Sequence, residues 1–263
     1  MDIKKLIEAF LADPEKMDPD LIYNEFSLQF ELGIFLRENG YKVYFEKNIN
    51  SFIEESFKKG KIIPKEAKDL KNFNKEMNDY VKEKEKTYVK HEMDLCIING
   101  NERYAIELKF PTNGLNEQRA ITFIKDLQFM ELVKDPEKEL NFTKTYCLLL
   151  VKKGDDFAGE KFIEATENTN GKNSDKSKKN DSCNKLLYSF FRSENESNTE
   201  ICATNLEKYK KSFEANQEKK LKDKKIKKAR QVPIDTKLKG SYQIQWEQSK
   251  ANDEYWFYLQ ENK

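Results

Sequence analysis

Apolar residues in this chain fall into short blocks whose period switches between helix-like and strand-like, and the first clear block runs from Leu21 to Asn39. Leu21, Leu28, Leu32 and Phe35 line one side at helical spacing, Asn24 is a candidate N-cap, and Gly40 ends the helix. Tyr41, Val43 and Phe45 then alternate with Lys42, Tyr44 and Glu46, the period-two pattern of a half-buried strand. Residues 91–110 read HEMDLCIINGNERYAIELKF, two apolar runs around an Asn99-Gly100 turn signal, which predicts a β-hairpin. Helical spacing returns over Asn116 to Lys134 through Ile121, Ile124, Leu127, Phe129 and Leu132, and Thr145 to Val151 is a short apolar strand suited to burial.

The resulting order, α-β-β-β-α-β, predicts an α/β fold with a mixed sheet flanked by helices. A core over residues 1–165 carries a charged helical insertion at 51–90, read as a solvated arm. Residues 166–184 are almost wholly polar and cannot bury enough apolar area to fold alone, so they read as a flexible surface loop. The remaining segment, 185–263, reads as an extension packed on the core. It holds a candidate strand at Leu186 to Arg192 and a terminal hairpin pairing Ser241 to Trp246 with Tyr255 to Leu259. That hairpin carries both tryptophans, for which core packing is preferred over base stacking.

Charge inside the central hairpin points to chemistry. In a strand, alternate residues share a face, so Tyr104, Ile106, Leu108 and Phe110 pack inward while Glu107 and Lys109 project together from the other side. A two-residue loop at Asn99-Gly100 sets Asp94 opposite Ala105, with Glu107 its diagonal neighbour. A four-residue loop from Asn99 to Glu102 sets Asp94 directly opposite Glu107. Both place the two carboxylates on one face, and only a three-residue loop separates them. Two carboxylates in that position repel each other unless a hard divalent cation takes their oxygens.

At these residues the chain resembles the PD-(D/E)xK nuclease superfamily, the restriction-endonuclease-like fold. Its signature is an acid opening one strand and a Glu-x-Lys on the next, matched here by Asp94 and Glu107-Leu108-Lys109. The proline that often precedes the first acid is Met93 here. Glu66-Ala67-Lys68 and Glu218-Lys219-Lys220 also fit the tripeptide, so the flanking elements, from about Tyr23 to about Val151, do the discriminating.

The resemblance implies a nuclease that hydrolyses DNA phosphodiester bonds with Mg²⁺, for which Mn²⁺ substitutes. Asp94 and Glu107 would hold the metal and Lys109 would position the attacking water. A further glutamate on the first helix would face the same ion: Glu25 is preferred, with Gln29 one turn on, and Glu31 is the alternative. Lys125, Asp126 and Gln128 fall where related nucleases place residues over the scissile phosphate, although polar residues on such a helix are more often its solvated face. Glu92 is either a further ligand or, preferably, an exposed charge at the strand start. The second reading of the same likeness is a nuclease-like fold that no longer cuts and serves as a DNA-binding or complex-assembly subunit. A third is a purely structural charged hairpin.

Composition narrows the alternatives. The 263 residues carry a net charge of +1, so DNA would be met by a local basic patch rather than a global field. Lys224, Lys225, Lys227, Lys228 and Arg230 form the densest such run, one that suits phosphate binding and a solvated linker equally. His91 is the single histidine, which excludes a multi-histidine zinc cluster, and no Gly-x-Ser-x-Gly elbow is present. Cys96, Cys147, Cys183 and Cys202 are scattered without a Cys-x-x-Cys pair and read as reduced thiols, with no disulfide-linked partner. No apolar run reaches the length of a membrane span and no secretory signal opens the chain, which predicts a cytoplasmic protein, with a homodimer compatible with the sequence.

Overall fold

The structure is a computed structural model that describes residues 2–112, 115, 117–135, 140, 142–152, 187, 190–191, 200–223, 228 and 237–262. Its centre is a six-stranded mixed sheet in the order β1-β2-β3-β4-β8-β7. The strands are β1 (Lys42–Asn48), β2 (Glu92–Asn99), β3 (Glu102–Lys109), β4 (Lys144–Lys152), β7 (Glu247–Gln248) and β8 (Tyr255–Asn262). Two further strands, β5 (Glu200–Cys202) and β6 (Ser241–Gln243), form a separate two-stranded sheet. The β3–β4 pair is parallel and the rest are antiparallel. A parallel pair needs a long crossover, and α5 (Glu117–Lys134) supplies it.

Helices cover both faces. On one side, α1 (Ile3–Leu11) and α2 (Glu25–Glu38) bury Leu6, Phe10, Leu28, Leu32 and Leu36 against Val43, Leu95, Ile106 and Leu148. On the other, α5, α3 (Asn50–Lys59), α4 (Ala67–Glu85) and α6 (Ala203–Lys222) pack with Cys96, Ala105, Cys147 and Leu149. Part of the insertion joins the core: Phe52 and Ile53 of α3 are buried, and Arg103 on β3 grips Glu55 through two bonds of 2.7 and 2.8 Å, whereas α4 buries only Phe73 and Val81 and is otherwise largely solvated.

The sequence places α2 well but starts it early. Asn24 caps it, accepting from Ser27 N at 2.8 Å while the Ser27 hydroxyl accepts from Asn24 N, a reciprocal cap that sets the first turn. Leu21 lies outside the helix and is 43% exposed. Gly40, at φ 88°, closes it in the left-handed region that glycine tolerates.

The hairpin takes one of the two registers left open by its sequence, the one in which Asn99 and Glu102 bound the loop, and two expectations for the C-terminal segment are corrected. Ile98 pairs with Arg103 and Asn99 with Glu102, so the two-residue loop is Gly100-Asn101. Gly100 takes the positive φ of 59° that a tight hairpin turn asks of its first position. One more step of this register sets Asp94 opposite Glu107. Nor is there a terminal hairpin between Ser241–Trp246 and Tyr255–Leu259: β6 pairs with β5, while β8 enters the main sheet between β4 and β7. Within Leu186 to Arg192, Leu187 is helical and Phe190 N bonds Leu187 O, so these described residues form a buried turn and not a strand.

Both tryptophans pack against the core, and Trp246 donates its indole N–H to Phe191 O at 2.9 Å. The loop at 166–184 and Lys224, Lys225, Lys227 and Arg230 lie outside the described residues, whereas Lys228 is exposed. Cys96, Cys147 and Cys202 are free thiols, and no described helix is long and apolar enough to cross a membrane.

Candidate active site

β3 is a central strand, so the face bearing Glu107 is roofed by α5 instead of facing water, and Glu107 is only 1% exposed. Each strand acid is tied by one oxygen to the hairpin backbone. Asp94 Oδ2 accepts from Leu108 N at 2.7 Å, and Glu107 Oε1 accepts from Asp94 N at 3.4 Å. Their second oxygens meet a shared cation, Lys90: its ammonium bonds Glu107 Oε2 and lies 3.4 Å from Asp94 Oδ1. A third carboxylate, Asp126 of α5, approaches the same ammonium with Oδ1 at 3.8 Å.

Lys109 forms a second centre beside the first. Its ammonium bonds Glu25 Oε1 at 2.8 Å and lies 3.8 Å from Asp126 Oδ2, an oxygen with no hydrogen-bond partner. Glu25 Oε2 accepts from Phe110 N at 3.1 Å, so its carboxylate spans the lysine and the strand end. Gln29, one turn further along α2, donates to Asp94 O at 2.7 Å and to Glu46 Oε1 at 2.6 Å. Glu46 holds φ 47°, a left-handed conformation that costs a non-glycine residue about 1–2 kcal/mol, and Gln29 clamps it there beside Asp94.

The group is recessed but not sealed. Side-chain exposure rises from 3% at Asp126 through 13% at Asp94 and 14% at Lys109 to 31% at Lys90 and 41% at Glu25. An aromatic rim stands next to Glu25, where Phe26 and Phe30 stack with centroids 6.4 Å apart and are both exposed.

Burial dominates the electrostatics. It pushes the Glu107 carboxyl well above the ordinary value, helped by the charges of Asp94 and Asp126 and opposed by Lys90. Burial likewise pushes Asp126 up to about 7 against the pull of Lys90 and Lys109. For Lys90 burial works the other way, yet the three carboxylates outweigh it and hold the ammonium charged far beyond an ordinary lysine. Lys109 is raised in the same manner by Asp126 and Glu25.

The structure thus brings together Asp94, Glu107, Lys109, Glu25, Gln29 and Asp126. Glu31, half-buried on α2, makes no hydrogen bond or ion pair with them, and neither does half-buried Lys125. Gln128 is buried on α5, and Glu92 is exposed at the start of β2, beside Asn48 of β1. Lys90 is the residue that sequence reasoning missed. Its only sequence signal is a lysine four positions before Asp94, just past a run, Lys82 to Lys86, where lysine alternates with glutamate and carries little information.

Among the described residues, no three His, Cys, Asp or Glu side chains form a preformed metal cage. The donors around Lys90 nevertheless fit a hard cation by chemistry, since all are carboxylate oxygens and they converge on one positive centre. No protein-family model, curated protein or solved structure matches this chain.

Proposed function

We propose that this protein is a metal-dependent nuclease of the PD-(D/E)xK type, hydrolysing DNA phosphodiester bonds, with restriction, defence or repair as its setting. One observation carries the reading: Asp94 and Glu107, the two acids of the motif, each fix one oxygen on the hairpin backbone and turn the other toward a common cation position. Asp126 adds a third carboxylate there. Four carboxylates, those of Asp94, Glu107, Asp126 and Glu25, outnumber the two ammoniums beside them.

Asp94 and Glu107 would hold Mg²⁺ or Mn²⁺, with Asp126 the third donor in reach. The chemistry that ion supplies when bound is polarisation of a phosphate oxygen and activation of a water. The chain's own groups do the rest. Lys109, braced by Glu25, orients a water and offsets charge building on the phosphate. Gln29 holds the Asp94 backbone in place from α2. The helix carboxylate Glu25 serves the lysine in this arrangement, because both its oxygens are already engaged.

The test is nicking of supercoiled plasmid and of a labelled duplex with Mg²⁺ or Mn²⁺, comparing the wild type with Asp94→Asn and Lys109→Met. Metal-dependent cleavage that falls at least a hundredfold in both variants is expected; equal background in all three overturns the reading. A second reading, a nuclease-like fold that binds DNA or assembles complexes without cutting, is favoured by one observation, the neutralisation of the acids by Lys90. It predicts salt-sensitive DNA binding with no cleavage at any metal concentration.

A further inference from the structure

We infer that Lys90 is a resident cation which occupies the divalent-metal position, so that metal and lysine ammonium exclude each other and Lys90 must swing out before the site loads. The inference rests on the metal-dependent reading above and concerns how that site is controlled.

The oxygen inventory carries it. Asp94 Oδ2 is held by Leu108 N and Glu107 Oε1 faces Asp94 N, so the oxygens left for a metal are Asp94 Oδ1 and Glu107 Oε2. Both already contact the Lys90 ammonium, as does Asp126 Oδ1. A hard cation drawing these oxygens in to the usual distance of roughly 2 Å would need the space between them into which the Lys90 ammonium projects. Two positive centres cannot share that volume.

The segment bearing Lys90 is built for the side chain to leave while the backbone stays. It lies between α4 and β2 outside regular structure, and two residues back Tyr88 is buried edge-on to Phe129, with centroids 6.5 Å apart. The His91 carbonyl is fixed by Ile49 N at 2.9 Å. Between these anchors the Lys90 side chain is 31% exposed, and its four-carbon stem can turn outward without unfolding either neighbour.

The experiment uses the intact wild-type chain with Ca²⁺, which binds oxygen sites, and Mn²⁺. Calorimetry first measures binding in the wild type and in Asp94→Asn. Lysine footprinting by reductive methylation and mass spectrometry then follows Lys90 with and without the bound ion, using exposed Lys68 as the internal reference. The expected result is binding that is lost in Asp94→Asn, together with a rise of at least fivefold in Lys90 modification on ion binding while Lys68 stays constant. Lys90→Met should bind Mn²⁺ at least tenfold more tightly than the wild type. If the ion binds through Asp94 but Lys90 reactivity does not rise, the inference is overturned and the nuclease reading stands. If neither the wild type nor Lys90→Met binds an ion, both fall together.

Discussion

Substituting alanine for Gly33 tests how α2 is seated against the sheet, and hence how Glu25 and Gln29 reach the site. A Cβ at Gly33 would lie 2.3 Å from Cζ and 2.4 Å from Cε1 of Phe45, and 3.3 Å from Leu95 Cδ2. The Phe45 ring has to move, and it stands between Phe30, at a centroid distance of 6.1 Å, and the Arg37 guanidinium, 4.8 Å from its centre. Overpacking of this kind costs about 1–3 kcal/mol. Glycine to alanine in a helix interior returns about 1 kcal/mol of propensity. The difference predicts a net loss of about 1 kcal/mol in unfolding free energy, read by urea denaturation. Removing the ring should reverse the sign, so Gly33→Ala in a Phe45→Leu background should stabilise by the propensity gain alone. If Gly33→Ala stabilises equally in both backgrounds, the ring is not what requires glycine at this position.

The carboxylates give a pH signature. Folding raises Asp126 toward 7, so its contribution to stability is complete below about pH 4 and is lost as pH rises through its folded value, at about 1.4 kcal/mol per unit of displacement. Glu107 shifts in the same direction. The stability difference between wild type and Asp126→Asn should therefore move in favour of the variant between pH 4.5 and 7.5, and a flat difference curve would refute the assignment. Further along α5, Glu131 accepts from Lys239 N at 2.8 Å, from Tyr242 Oη at 2.7 Å and from Gly240 N, fixing the 237–242 segment to the helix. Glu131→Ala leaves these donors unmatched and should cost about 2–4 kcal/mol, measured by chemical denaturation. At the aromatic rim, a base stacked on Phe26 is worth about 1–3 kcal/mol, so Phe26→Ala should weaken binding of a labelled single-stranded oligonucleotide at least fivefold while leaving Ca²⁺ affinity unchanged. Unaltered oligonucleotide affinity would remove the rim from the substrate path.

What could be read from the sequence was local. Asn24 and Gly40 mark helix ends because capping and positive φ act within a few residues, and the alternation through 104–110 places Glu107 and Lys109 on one face because pleating has a fixed period. What could not be read was decided at a distance. The covered side of Glu107 depends on α5 roofing β3, and the paired edge of β4 depends on β8, more than a hundred residues later in the chain. The choice between the two hairpin registers stayed open for a related reason. A loop at Asn99-Gly100 and one from Asn99 to Glu102 leave the same side chains on each face, so alternation along the strands does not choose between them.

Lys90 shows the same limit from the side of charge. In a chain where 36% of residues are charged, a lysine four positions before an aspartate is unremarkable, and nothing local distinguishes it from Lys82 or Lys86. Its distinction arises only when the β2–β3 register aligns Asp94 with Glu107 and α5 brings Asp126 over them. Two buried acids and a half-buried third then require a positive charge, because unpaired they would carry a desolvation cost that the fold could not sustain. The tripeptide names two members of the group, but it is this demand for a cation that makes the place a site, and an ammonium and a divalent ion are two ways of meeting it.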